Sequence, residues 1–206
     1  MLLGLDVGGT FTDAVIIDGH RVVAIAKRRT TKDNLMNGIG EALDAVLEGY
    51  DTSNIEQVTL STTVVTNTIV EEKEQVVDLY VVTGPGRNVD DIFPVKPIYL
   101  QGYTDHRGIV VEHTPADAVR GIANMVQARS GTDLAAVSAK FGVRNPQEEL
   151  SITEELKNTY HVISNGSLLS GSLNFPRRTI SAYFNSAVTP VFTVFKKNVE
   201  DALSAR

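Results

Sequence analysis

Six residues near the amino terminus have the side chains or backbone to hold an anion: Asp6, Gly8, Gly9, Thr10, Thr12 and Asp13. They lie in the run LLGLDVGGTFTDAVIID, Leu2 to Asp18. A short apolar strand (Leu2, Leu3, Leu5, Val7) bears one carboxylate, Asp6, and runs into Gly8-Gly9; a second strand, Ala14 to Ile17, leaves at once. The paired glycines are therefore expected in a tight hairpin turn, with positive-φ backbone and no Cβ between the chain and a ligand. Successive amides in such a turn can form an anion-binding nest. Thr10 and Thr12 add hydroxyls, and Asp6 and Asp13 add carboxylates able to hold a metal through water. A solvent-facing Gly-Gly hairpin would need no ligand, but the aspartate inside the apolar strand and the flanking threonines favour a phosphate site. It is not a P-loop, because no Gly-Lys-Ser/Thr follows. It is not a dinucleotide fingerprint, because the second element is a strand and not a helix.

A second constellation is Leu60-Ser61-Thr62-Thr63-Val64-Val65-Thr66-Asn67-Thr68. With a helix starting near Thr62, Thr63, Thr66 and Asn67 share one face at three- and four-residue spacing. Hydroxyls and a carboxamide there would suit a phosphate or carbonyl oxygen; threonines that cap the helix and pack as β-branched filler explain the run equally well. The aspartates of Thr83-Gly84-Pro85-Gly86-Arg87-Asn88-Val89-Asp90-Asp91 read as solvated carboxylates on a Gly/Pro turn. His20, His106, His113 and His161 have no metal-ligand spacing. Glu71-Glu72-Lys73-Glu74 reads as a solvated helix end.

These groups must be positioned by an ordinary globular chain. Its 206 residues can bury a sizeable core as one large or two small domains. With 42% hydrophobic and 21% charged residues it is not a disordered protein. A formal charge of -6 argues against general nucleic-acid or anionic-membrane binding. The absence of cysteine removes disulfide, thiolate-zinc and iron-sulfur chemistry. No apolar run approaches spanning length and the N-terminus has no basic leader, so a cytoplasmic location is the default.

The opening reads as three strands (2–7, 13–18, 21–28), a helix over about 33–48 closed by Gly49, a strand at 58–61, a helix over 62–71 and an apolar strand at 76–82. Leu35, Met36, Ile39, Ala42, Leu43, Val46 and Leu47 give the first helix one apolar face. A Gly/Pro-rich passage, 83–97, marks a boundary. Beyond it come a hairpin (98–103 with 109–112), a helix that Thr114 should cap, a strand at 134–138, a helix starting at Asn145-Pro146 and a strand at 160–164. A long helix from Phe175 to Leu203, kinked at Pro190, closes the chain. Residues 1–82 are expected as one unit, 98–175 as a second α/β module, and 176–206 as a helix returning to cover the first.

The hairpin resembles the first phosphate motif of the actin, sugar-kinase and Hsp70 ATPase superfamily. Gly8-Gly9-Thr10-Phe11-Thr12-Asp13 resembles one branch in particular, the hydantoinase A and 5-oxoprolinase subunits with the related acetone carboxylase subunit. Thr62 to Asn67 is similar to that branch's His-Gly-Thr-Thr-x-x-Thr-Asn box, with Leu60-Ser61 standing where the family has His-Gly. The resemblance implies a ribonuclease-H-like (actin-like ATPase) α/β half-domain with a mixed sheet, a second small α/β module and a long C-terminal helix. It implies ATP and Mg²⁺ as cofactors, with Gly8, Gly9, Thr10, Thr12 and Asp13 binding nucleotide, Asp6 holding Mg²⁺ through water, and Asp6, Thr63 and Asn67 in catalysis. The implied reaction is ATP-dependent opening of a cyclic amide, a hydantoin or 5-oxoproline, with a hydantoinase-B-like partner subunit. The competing readings are a small-molecule kinase of the same superfamily and a non-catalytic nucleotide-binding or assembly module. No second Asp-x-Gly-Gly-Thr hairpin follows Val82, so the chain resembles the N-terminal portion of a longer subunit.

Overall fold

The computed structural model describes residues 1–31, 35–86 and 90–206. The start expected for the first helix, at about residue 33, and Arg87-Asn88-Val89 of the Gly/Pro passage lie outside the described residues, as do the side chains of Leu35 and Met36. The chain divides into two compact units, Met1–Lys73 with Pro190–Arg206, and Glu74–Thr189.

In the first unit, strands β1 (Leu2–Val7), β2 (Phe11–Asp18), β3 (Arg21–Arg29) and β4 (Gln57–Thr62) form a mixed sheet in the order β3-β2-β1-β4. β1 runs antiparallel to β2 and parallel to β4. The alternation in β1 decides which face is buried. Leu3, Leu5 and Val7 point into the core with Ala14, Ile16 and Ala26, and onto Ile39, Ala42, Leu43 and Val46 of helix α1 (Leu35–Leu47). Phe195, Val199 and Ala202, from the end of the chain, complete this core. The other residues of β1, including Asp6, take the opposite face. Helix α2 (Val64–Val70) follows β4.

The second unit holds a four-stranded parallel sheet in the order β10-β9-β5-β6, with β5 at Asp78–Val82, β6 at Ile98–Tyr99, β9 at Leu134–Ala139 and β10 at Val162–Asn165. β5 and β9 are buried at every residue, as central parallel strands covered on both faces must be. Helices α3 (Ala116–Ser130) and α4 (Gln147–Leu156) supply Val119, Ala123, Ile152 and Leu156 to one core. Ala182, Tyr183 and Ala187 belong to the other. A short hairpin joins β7 (Tyr103–Thr104) to β8 (Val110–Glu112), and α5 (Gly166–Leu169) precedes the last helix, α6 (Phe175–Ser204), which contains Pro190.

Three local expectations are corrected here. Residues 78–82, expected in the first half, pair with β9 and β6 in the second sheet. A five-residue run buried at every position finds two covered neighbours there, whereas β4 is an exposed edge. The hairpin expected over 98–112 is narrower, since Ile98–Tyr99 joins the parallel sheet and only β7 pairs with β8. Thr114 does not cap α3: Pro115 occupies that position, and the Thr114 hydroxyl and amide both donate to buried Glu148.

Candidate functional site

The hairpin expected to hold phosphate forms between β1 and β2, with the Gly8 amide donating to the Phe11 carbonyl at 3.0 Å. Its glycines are needed for a different reason from the one the sequence suggests. Among the described glycines, positive φ occurs at Gly19, Gly49, Gly84, Gly86, Gly102, Gly108 and Gly131, and neither Gly8 nor Gly9 is among them. What they supply is room. A Cβ on Gly8 would lie 3.1 Å from the Phe11 carbonyl oxygen, and one on Gly9 would lie 3.1 Å from Asn67 Nδ2. The αR-αL nest is thus replaced by a close approach of the turn to the side chain of α2.

That approach borders a cavity of about 270 Å³. Val7, Gly8 and Gly9 line it from the hairpin, Thr30 from the end of β3, and Thr62, Val64, Asn67 and Thr68 from β4 and α2. Glu71 and Lys73 follow α2 at the cavity, and Val191 and Phe195 of α6 add apolar wall. The polar side is braced internally. Thr62 donates to the Val7 carbonyl at 3.0 Å and accepts from the Val64 amide at 3.2 Å, so β4 is tied to β1 where α2 begins. Asn67 donates to the Thr63 hydroxyl at 3.3 Å, which fixes the carboxamide one helical turn from Thr63.

Of the residues singled out from the sequence, Gly8, Gly9 and Asn67 meet at this cavity, and Thr63 orients Asn67 from behind. Thr66 is exposed and does not line it. Thr10 is exposed, and its carbonyl accepts from the Thr30 amide at 2.9 Å. Thr12 is fully buried, with its hydroxyl 3.0 Å from that of Thr30. It braces the hairpin instead of facing a ligand, because its register opposite Val7 turns it to the core.

The carboxylates take the other face. Asp6 and Asp13 are register partners, and they line a shallow groove of about 310 Å³ with Gly4, Val15, Ile25, Thr59 and Ser61. Asp13 is held by Lys27, whose ammonium lies 2.7 and 2.8 Å from its two oxygens. Among the described residues no group of three or more His, Cys, Asp or Glu could hold a metal. The donor set therefore does not fit Mg²⁺ at the Gly9–Asn67 cavity: Asp6 lies across the sheet from it and Asp13 is neutralised by Lys27. Strand alternation is the reason, since an odd number of steps along β1 would be needed to bring Asp6 to the face that Val7 occupies.

Sequence reasoning missed Thr30, Thr68, Glu71, Lys73, Val191 and Phe195. The two aromatic-aliphatic positions are more than a hundred residues away in sequence, and Glu71 and Lys73 carried only the signal of a helix end.

Solved structures that share this fold include the following two. An acetone carboxylase in its nucleotide-free structure matches with a TM-score of 0.70 at 17% identity, over 96% of this chain and 34% of that one. The ATP-dependent caprolactamase from Pseudomonas jessenii matches with a TM-score of 0.71 at 20% identity, over 98% of this chain and 33% of that one. The chain thus spans about a third of the length of each. No curated protein sequence matches it. The family model for the hydantoinase/oxoprolinase N-terminal region matches residues 2–160, which contain the hairpin, β4, α2 and most of the second unit. The fold is that of an actin-like, ribonuclease-H-like half-domain with an added α/β module, and the chain belongs to the hydantoinase/oxoprolinase N-terminal region family.

Proposed function

We propose that this chain is the hairpin-bearing part of an ATP-dependent subunit that opens cyclic amides of the hydantoin or 5-oxoproline type. The observation that carries the reading is the Gly9–Asn67 approach inside a chain whose residues 2–160 match the hydantoinase/oxoprolinase N-terminal region. An amide oxygen is a poor leaving group, and ATP supplies the phosphoryl group that makes it a good one. The turn at Gly8-Gly9 presents backbone without Cβ atoms to that group, and the Asn67 carboxamide offers a donor beside it. Thr63 holds Asn67 in place, so its role is positioning. Thr12 and Thr30 keep the turn rigid, which lowers the ordering cost of binding. Of the two further residues that the resemblance gives to nucleotide, Thr10 lies exposed at the tip of the turn and Asp13 lies on the opposite face of the sheet, paired with Lys27. Mg²⁺ would enter with the nucleotide, since Asp6 lies across the sheet from the cavity and Asp13 is paired with Lys27. A hydantoinase-B-like subunit is the proposed partner and the cytoplasm the proposed location. Among the described residues no helix is long and apolar enough to cross a membrane.

The test is a calorimetric titration of the chain with Mg-ATP, alongside phosphate release in the presence of 5-oxoproline or hydantoin and the partner subunit. Gly9→Val places a branched side chain where even a Cβ lies 3.1 Å from Asn67 Nδ2. We expect it to abolish nucleotide binding in a folded protein, because Gly9 is exposed. Wild-type affinity in Gly9→Val would refute the assignment of the hairpin.

A further inference from the structure

The rim of the Gly9–Asn67 cavity carries a charged pair built by an uncommon helix ending. After α2, the Glu72 amide donates to the Ile69 carbonyl at 3.2 Å and the Lys73 amide to the Thr68 carbonyl at 2.9 Å. This is the Schellman pattern, whose left-handed position is usually glycine. Here it is Glu72, at φ +53. A non-glycine residue held in this region stores strain, and strain of this kind clusters at functional sites. Its consequence is geometric. Residues two apart on a regular helix do not face each other, yet the reversal at Glu72 brings Glu71 and Lys73 together on the cavity, with Nζ 2.6 Å from Glu71 Oε2.

Among the residues described as lining the cavity, Lys73 is the one cation and Glu71 the one carboxylate, Asp6 and Asp13 being on the opposite face of the sheet. Taking the cavity as a binding site, as the proposed function does, we propose that Glu71 and Lys73 form a counter-ion switch for a ligand oxyanion, a phosphoryl or carboxylate group. Glu71 pairs with Lys73 at the rim of the cavity. An entering oxyanion takes Lys73 from it, with Gly9 and Asn67 as its other contacts. The exchange is inexpensive, because an ion pair this exposed contributes little. The new contact gains more, since the cavity walls at Val7, Val64, Val191 and Phe195 exclude water from one side of the charge-assisted hydrogen bond. Glu71 also repels any anion that fails to displace it, so it sets a threshold for affinity.

The test uses the ¹⁵N-labelled chain of 206 residues. Inorganic phosphate and 5-oxoproline are titrated separately, with 2-pyrrolidinone as the uncharged counterpart, while the Gly9 amide and the Asn67 side-chain amide are followed. Both resonances should move with at least one of the two anions and not with 2-pyrrolidinone; the tighter anion identifies the source of the oxyanion. Lys73→Gln should weaken that anion by about tenfold and Lys73→Arg should retain it, because a cation is what the contact needs. Glu71→Gln should tighten it by roughly threefold, a gain that a purely structural role for the pair would not produce. Unchanged affinity in Lys73→Gln, weaker binding in Glu71→Gln, or no response of Gly9 to either anion would overturn the proposal. If the anion responses hold but neither Mg-ATP binding nor phosphate release is found, the switch stands and the ATP-dependent reading fails. If Mg-ATP binds but Gly9 ignores both anions, only the switch is lost.

Discussion

Replacing Glu149 by alanine is expected to destabilise the second unit by about 4 kcal/mol. Glu149 sits in the first turn of α4 and is fully buried. One of its oxygens accepts from the Ala139 amide at 2.8 Å; the other accepts from the amide of Ser167 at 2.8 Å and from its hydroxyl. Arg178, also fully buried, donates to the Ala139 carbonyl at 2.9 Å and to the Ser172 carbonyl at 2.7 Å, while its Nε has no partner. Burial pulls the Arg178 guanidinium below its usual value, and the negative charge of Glu149 opposes that pull. Alanine would therefore strand two backbone amides and leave a buried cation without its counter-charge. Each stranded donor costs about 1–3 kcal/mol, and breaking one side of a buried ionic arrangement costs about 3–5 kcal/mol in all. The two figures describe overlapping losses, so they are not summed. Glu149→Gln keeps the volume but turns an amino group toward a backbone donor, and should cost about 2 kcal/mol. Urea unfolding followed by far-ultraviolet circular dichroism, with hydrogen exchange of the β9 amides to assign the loss to this unit, measures both. Arg178→Met closes a double-mutant cycle, in which the second substitution should cost less once Glu149 is gone. A loss below about 1 kcal/mol in Glu149→Ala, or full additivity with Arg178→Met, would refute the reasoning.

Two further outcomes follow from the same physics. Tyr80 is pushed up to about 12, chiefly by burial, with the hydrogen bond between the Tyr80 and Tyr160 hydroxyls opposing and the charge of Asp78 reinforcing; Tyr160 is pushed up as well, by burial first. Their folded values exceed the unfolded value of about 10, so their contribution is complete below that pH and is lost as pH rises through the folded value. Stability should fall from about pH 10 onward, and Tyr80→Phe should soften the fall; a profile identical to wild type would contradict this. Glu72→Gly should raise the stability of the first unit by about 1 kcal/mol by relieving the left-handed strain, and a lower urea midpoint would count against that account.

The sequence by itself carried every element whose signal is local. The alternation Leu3, Leu5, Val7 against Leu2, Gly4, Asp6 marks a strand with one buried face, and the apolar positions of α1 and α6 recur at helical spacing. The Gly-Gly turn and the Thr-Asn run identified two segments that the fold brings together at Gly9 and Asn67. Tertiary structure decided the rest, because each remaining question depends on partners distant in sequence. Whether residues 78–82 join the first sheet or the second is set by which neighbours can cover both faces of the strand and satisfy buried Asp78, which accepts from Ser130 and Tyr160. Asp6 and Gly8 are two residues apart, but the pleat sends the Asp6 side chain away from the cavity that the Gly8 backbone borders. Thr10 sits at the tip of the turn and stays exposed, whereas Thr12 lies within β2 opposite Val7 and is turned to the core. The cation at the rim of the cavity is Lys73, which stays largely exposed and is brought there beside Glu71 by the left-handed turn at Glu72.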